Sequence, residues 1–298
     1  MSNDQSVATR AVRVDPGTGI REEIEFIGSG AKRLFSTLHA PVAEPIGAVV
    51  LCSSILAELL SGYQEEVWLC RKLAEHGIAV RRFHYRGTGH SDGEAEDLTY
   101  ERLAEDARLV ADHLKAETKA ERIGLIGTRV GAVVAATIAA ELPGAPLALI
   151  HPVLDLDKLF KDMTRARTIS LMNEEGRSPE DGPPEDMYTV LDRERSVDVL
   201  GYRLTEPMLS SLRSRKLVDE LGPQSRPVQL VQVAKRKQIM PEFQRFLDEL
   251  ESRGFQTDAH IVVDEIAWWF HDTRRHLIPE IGDAVVPWMS EHLAREGR

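Results

Sequence analysis

The 298-residue chain is short of several features that mark whole protein classes. It has two cysteines, Cys52 and Cys70, in no C-x-x-C spacing, so there is neither a disulfide framework nor a thiolate metal site to read. Its ten histidines form no H-E-x-x-H and no i, i+4 set with a carboxylate, and neither a metal nor a cofactor is expected. Basic residues are outnumbered, 37 Lys+Arg against 48 Asp+Glu, and nowhere form a block; a net charge of −11 disfavours nucleic acid and anionic membrane surfaces. Long apolar runs are missing too. The most apolar stretch, Val130 to Leu154, is broken by Glu141, Pro143, Gly144 and Pro146, and Met1 to Val14 is polar, so neither a membrane span nor a signal peptide is expected. A reducing cytoplasm is the expected location. What is present, 42% hydrophobic and 29% charged residues, is the composition of a globular chain long enough to bury a large core.

The pattern along the chain is one of strands alternating with helices. Glu22 to Ile27 and Leu34 to His39 alternate as an opening hairpin around Gly28-Ser29-Gly30. Ile46 to Cys52 is a continuous apolar run, as in a strand covered on both faces. A helix over Gln64 to His76, stopped by Gly77, leads to a strand over Ile78 to His84. After a glycine-rich turn (Arg86 to Gly93) come a helix over Tyr100 to Ala116, a strand over Arg122 to Ile126, an alanine-rich helix over Val130 to Leu142 and a strand over Leu147 to His151. This is the arithmetic of an α/β fold with a mostly parallel sheet flanked by helices. Charged, helix-prone sequence then runs to Pro227 and reads as a helical lid insertion. Strands over Val228 to Val233 and Thr257 to Val263, a helix over Pro241 to Arg253 and a closing helix from about Pro279 complete the pattern. The expected organisation is a core over 1–153, a lid over 154–226 and the rest of the core over 227–298.

The strongest local signal is Ile123-Gly124-Leu125-Ile126-Gly127-Thr128-Arg129-Val130-Gly131-Ala132, a strand entering a helix through G-x-R-x-G. This is the frame of a nucleophile elbow, in which small residues let the chain turn sharply and expose the middle side chain above the sheet. Arg129 holds that middle position. A guanidinium that stays protonated cannot act as an acyl-accepting nucleophile, which excludes the serine mechanism. At a helix N-terminus its charge opposes the macrodipole, so an anionic partner is expected: a ligand carboxylate or phosphate, with Lys235 to Lys237 assisting, or an internal carboxylate such as Asp92 or Glu58.

With this elbow the chain resembles the α/β-hydrolase superfamily, and Phe83-His84-Tyr85-Arg86-Gly87-Thr88-Gly89-His90-Ser91-Asp92-Gly93 is similar to the F-D-Y-R-G-x-G-x-S-x-G turn of its serine aminopeptidase-like branch, with His84 replacing the Asp. The elbow, His151-Pro152-Val153 and Val199-Leu200-Gly201-Tyr202-Arg203-Leu204 resemble a subgroup labelled exosortase-associated or biosynthetic-cluster hydrolases, with Arg in place of the nucleophilic Ser. The resemblance spans roughly Val49 to Trp288. It implies an α/β-hydrolase fold with a site between lid and elbow. It also implies an oxyanion hole of backbone N–H groups near Ser53, Ser54 and Val130, and a base in the loop before the last helix, where His271 matches best and His276 second. The family's acid is not matched, since Ala234-Lys235-Arg236-Lys237-Gln238 occupies its loop.

Other residues carry two readings each. Cys52, ending a strand near the elbow, is either a lowered-pKa nucleophile beside Arg129 and His271 or a packing residue. Thr128 is either a substrate-site hydroxyl or, being one place before the apex, turned away from the pocket. Trp268, Trp269 and Phe270 either close an apolar substrate pocket or pack the last helix.

These residues imply an enzyme with a degenerate triad, acting without a serine on a small acyl or carboxylate-bearing metabolite, in a biosynthetic pathway as in the resembled subgroup. Arg129, His271 and Cys52 are its candidate catalytic residues, and Ser53, Ser54, Val130, Thr128 and Trp269 its candidate oxyanion or substrate contacts. The alternative is a non-catalytic pseudo-hydrolase that binds an anionic small molecule or a protein partner, and a homo-oligomer also stays open.

Overall fold

The structure, a computed structural model, describes residues 10–173, 182–264 and 277–294. Its central sheet opens with β1 (Ala11–Asp15), β2 (Ile20–Ile27) and β3 (Leu34–Pro41), each antiparallel to the next. β1 has no counterpart in the sequence reading. Val12 and Val14 are half exposed, and a strand at an open edge need not show a buried period.

β4 (Gly47–Cys52) is buried along its whole length and leads into α1 (Ala57–Glu75). The helix starts well before Gln64, because Leu59, Ser61 and Gly62 pack against the sheet as a small-residue face that reads in sequence as a breaker. β5 (Ile78–Phe83), α2 (Tyr100–Thr118), β6 (Ile123–Thr128), α3 (Gly131–Glu141) and β7 (Leu147–Ile150) follow close to their expected places.

Between β7 and the next sheet strand lie α4 (Leu156–Met172), α5 (Met187–Glu194), β8 (Ser196–Val199), β9 (Tyr202–Thr205), α6 (Glu206–Leu212) and α7 (Leu217–Glu220). The purely helical expectation for this segment is corrected: β8 and β9 form an antiparallel hairpin. Its turn, Leu200-Gly201, has positive φ at both residues (55° and 84°), and the buried Val197, Val199 and Leu204 keep a strand period that the surrounding charge obscures. β10 (Pro227–Ala234), α8 (Pro241–Ser252), β11 (Gln256–Val263) and α9 (Pro279–Ala294) end the chain.

The strand order is β1-β2-β3-β5-β4-β6-β7-β10-β11, parallel from β5 to β11. Because side chains alternate along each strand, the sheet divides its apolar residues between two cores. Val49 and Leu51 pack with Leu69 and Leu73 of α1 and Val285 and Met289 of α9. Val50 and Cys52 pack on the other face with Leu103 and Val110 of α2 and Val133 of α3. The C-terminal ends of β4, β6, β7 and β10 therefore lie side by side, where open α/β sheets place their binding sites. No helix among the described residues is long and apolar enough to cross a membrane.

Candidate functional site

Strand β6 ends at Thr128 and α3 begins at Gly131, so the chain passes from strand to helix over two residues. Arg129 has φ of 52°, a left-handed conformation that costs a non-glycine residue about 1–3 kcal/mol and persists only where the surroundings hold it. Its flanking glycines permit the turn. A Cβ on Gly127 would press on the backbone of Ala132, and one on Gly131 would overlap the carbonyl oxygens of Cys52 and Ser53.

The Arg129 side chain is about nine-tenths buried and faces a carboxylate from the first turn of α1. Its Nε and Nη2 both donate to Glu58 Oε1, at 3.2 and 2.9 Å, and Nη1 donates to the His151 carbonyl oxygen at 3.2 Å. The second Glu58 oxygen, Oε2, accepts the Ser54 hydroxyl at 2.7 Å, while Ser54 Oγ accepts the Val130 N–H at 3.4 Å. Guanidinium and hydroxyl thus converge on one internal carboxylate, and the helix N-terminus reaches it only through the Ser54 hydroxyl. The expected anionic partner of Arg129 is Glu58, whereas Asp92 pairs instead with Arg33 Nε at 3.0 Å.

A cavity of about 500 Å³ lies beside this pair, lined in part by Arg129, His151, Leu159, Lys216, Phe243 and Phe246. Lys235 to Lys237 do not line it, a correction to the expectation of their assistance; Lys158, Lys216 and Arg245 join Arg129 there, alongside the acidic Asp155, Asp162, Glu242 and Glu249.

The remaining candidates separate by face. Ser53 and Thr128 are buried, and each donates its hydroxyl to Glu66, at 2.6 Å to Oε2 and 2.6 Å to Oε1. Thr128 is therefore not a cavity hydroxyl: one residue before the apex, its side chain points back between sheet and α1. Cys52 is fully buried against Tyr85, and burial pushes its thiol up to about 12. The expectation of a lowered-pKa thiolate nucleophile is corrected accordingly, since the environment disfavours the charged form and Arg129 is engaged elsewhere. Ser54 and Val130 do meet at the elbow, yet the Val130 N–H is directed at Ser54 Oγ. His271, His276, Trp268, Trp269 and Phe270 lie outside the described residues.

Two features carry no role in the sequence analysis. His151, at the end of β7, has φ of 40° and stands edge-on to Phe243 with ring centroids 5.2 Å apart. Its Nδ1 accepts the Val233 N–H at 3.2 Å, and burial, with Arg129 nearby, lowers its pKa to about 3, so the ring is neutral. A histidine-proline pair closing an apolar strand was the available signal. Asp264, just past β11, donates its N–H to the Ala234 carbonyl at 3.0 Å and so stands next to the loop in which no acid is matched. His84 accepts the His90 N–H at 3.1 Å within the glycine-rich turn, and burial lowers its pKa to about 4. Glu25, His113 and Glu117 come close together on the far side of the sheet, but Arg81 bridges the two carboxylates, which makes the group an ion-pair cluster.

Comparison with known proteins agrees with this fold. The family model for serine aminopeptidase, S33, matches residues 43–174. No curated protein matches the sequence. Among solved structures, Est1E from Butyrivibrio proteoclasticus with ferulic acid bound is 17% identical, with TM-score 0.59 over 91% of this chain and 99% of that one. Carboxyl esterase 2 from the mycorrhizal fungus Tuber melanosporum is 13% identical, with TM-score 0.55 over 97% and 89%. An esterase from Pyrobaculum calidifontis is 17% identical, with TM-score 0.54 over 92% and 85%. The chain therefore has the α/β-hydrolase fold, and its residues 43–174 resemble the serine aminopeptidase branch of that superfamily.

Proposed function

We propose that this protein uses the α/β-hydrolase frame as a binding site for a small acyl or carboxylate-bearing metabolite, held at the elbow without an acyl-serine intermediate. The observation that carries the reading is the convergence of Arg129 and Ser54 on the Glu58 carboxylate, with the Val130 N–H directed at Ser54 Oγ, beside a cavity of about 500 Å³. An elbow that already holds one carboxylate has the donors to hold another, and a ligand carboxylate would exchange with Glu58 for the Arg129 fork. The groups that a serine-type reaction needs are otherwise engaged: Arg129 stands at the apex, the Cys52 thiol is protonated, and the Val130 N–H is directed at a hydroxyl.

The second reading is an enzyme that works by a non-serine mechanism in a biosynthetic pathway. It is favoured by the same convergence, because donors aimed at a carboxylate are also aimed at a developing oxyanion. On this reading Arg129 and Ser54 stabilise negative charge on an acyl substrate once Glu58 swings away. Two free, buried cysteines support a reducing, cytoplasmic setting, and the acidic net charge supports a small-molecule ligand over nucleic acid.

A panel of acyl esters, thioesters and matching free carboxylates tests both. Wild type, Arg129→Ser and Glu58→Gln are compared for turnover and for calorimetric binding. Binding of free carboxylates without turnover, lost in Arg129→Ser, supports the binding protein. Turnover by wild type that Arg129→Ser abolishes supports the enzyme. Neither binding nor turnover by wild type defeats both.

A further inference from the structure

The sheet register gathers a second set of charged side chains far from the elbow. β5 carries two consecutive arginines, and strand alternation sends them to opposite faces. Arg81 meets Ser36, Glu25 and Glu117 on one face and is neutralised there. Arg82, paired in register with Thr37, faces the side that α1 covers. Continuing the register outward places His39 and Phe35 of β3, Glu22 and Ile24 of β2, and Arg13 of β1 on that same face. The antiparallel corner of the sheet extends beyond α1, and the space between them is a cleft of about 410 Å³ to which Arg13, Glu22, Ile24, Tyr63, Arg71 and Arg82 contribute.

Arg82 is 7% exposed, yet no carboxylate of the described residues lies within ion-pair distance of it. Its Nη2 donates to the Tyr63 hydroxyl at 2.8 Å, its Nε donates to His39 Nε2 at 3.4 Å, and its guanidinium carbon stands 4.5 Å from the centre of the Tyr63 ring. These partners orient the fork without neutralising it. The carboxylate in the cleft, Glu22, is engaged by Arg71 through Nε at 2.7 Å and Nη2 at 3.1 Å. The Arg82 charge also helps burial to hold His39 neutral, with its pKa lowered to about 4, so the imidazole accepts from Arg82 and adds no charge of its own. A buried guanidinium without a counter-ion is expensive, and its planar fork matches the geometry of a carboxylate or phosphate.

We propose that this cleft binds a small organic oxyanion, a carboxylate or phosphate carried on a flat apolar body, with Arg82 as its counter-ion. Arg82 has a planar fork suited to two oxygens of such a head group, and the exposed Arg13 stands at the rim to draw it in. Ile24, Phe35, Val67 and the Tyr63 ring provide the apolar wall on which the body lies. The site is independent of the elbow and of what the elbow holds.

Titration calorimetry with benzoate, phenyl phosphate, inorganic phosphate and benzyl alcohol tests the assignment. Benzoate or phenyl phosphate is expected to bind at least tenfold more tightly than benzyl alcohol, which lacks the charge, and than inorganic phosphate, which lacks the body. Whichever of the two binds more tightly identifies the head group. Arg82→Met should weaken that binding at least tenfold. Arg13→Glu, at an exposed position, should weaken it several-fold and decides the matter if Arg82→Met does not fold. Absence of binding by wild type, affinity indifferent to the Arg13 and Arg82 variants, or equal affinity for inorganic and phenyl phosphate would overturn the proposal.

Discussion

Glu58 and Arg129, 71 positions apart in the chain, meet at the elbow through two hydrogen bonds to a single carboxylate oxygen. Glu58 lies in the first turn of α1 and Arg129 just ahead of α3, so the pair ties the starts of two helices that flank opposite faces of the sheet. It also compensates a cation placed at a helix N-terminus, where the macrodipole alone would repel it.

Glu58→Gln should destabilise the protein by about 3 kcal/mol, because it removes a carboxylate paired with a largely buried guanidinium. Urea denaturation measures the loss. Acetate at tens of millimolar should recover part of it in the variant and little in wild type, since only the variant lacks the Glu58 carboxylate at the Arg129 fork. An unchanged unfolding midpoint in Glu58→Gln would show that the pair contributes nothing net.

At the elbow glycines, Gly131→Ala is expected to cost about 3 kcal/mol or more. The added methyl meets the Cys52 and Ser53 carbonyl oxygens, which belong to the strand end and cannot rotate aside. Gly201→Ala provides the contrast: nothing surrounds a Cβ there, and only its φ of 84° opposes the change, so about 1 kcal/mol is expected. Denaturation of the two variants side by side checks the order.

Both thiols should resist alkylation in the native state at neutral pH. Cys52 and Cys70 are buried and burial pushes each up to about 12. The folded state therefore keeps both thiols protonated where the unfolded chain, with thiol pKa values of about 8.5, releases them. Stability falls as pH rises above that unfolded value, by up to about 2.7 kcal/mol per pH unit for the two groups together. Iodoacetamide labelling before and after unfolding, with denaturation curves at pH 8 and 10, tests both statements; rapid native labelling of Cys52 would contradict its burial.

The opposite limb belongs to histidine. Burial lowers His151 to about 3 and His39 and His84 to about 4, below the unfolded value of about 6.5. Between these values the unfolded chain binds more protons than the folded one, so stability is fully present above about pH 6.5 and is lost as pH falls toward 4. Denaturation between pH 7 and 5 should show a slope approaching three protons. His151→Asn should reduce that slope by about one proton.

Much of the fold was legible because its determinants are local. Buried parallel strands read as unbroken apolar runs, helices as periodic stripes, and the elbow as glycines at fixed offsets from Arg129. β1 and the β8–β9 hairpin escaped the reading because an edge strand need bury no face and a four-residue strand offers too short a period. The elbow is similarly divided. Its position and its need for an anion follow from the charge and spacing of G-T-R-V-G, and Glu58 was named beside Asp92 as a candidate partner.

The sequence by itself determined the layered α/β architecture, the turn at Arg129 and the charge that the turn carries, all consequences of backbone preference and hydrophobic periodicity. Only the tertiary structure decided which carboxylate answers that charge, that Cys52 faces Tyr85 and stays protonated, that Thr128 and Ser53 share Glu66, and that of two adjacent arginines Arg81 meets carboxylates while Arg82 meets none among the described residues. Those outcomes depend on strand register and helix placement across tens of residues, where one position of slip sends a side chain to the other face of the sheet.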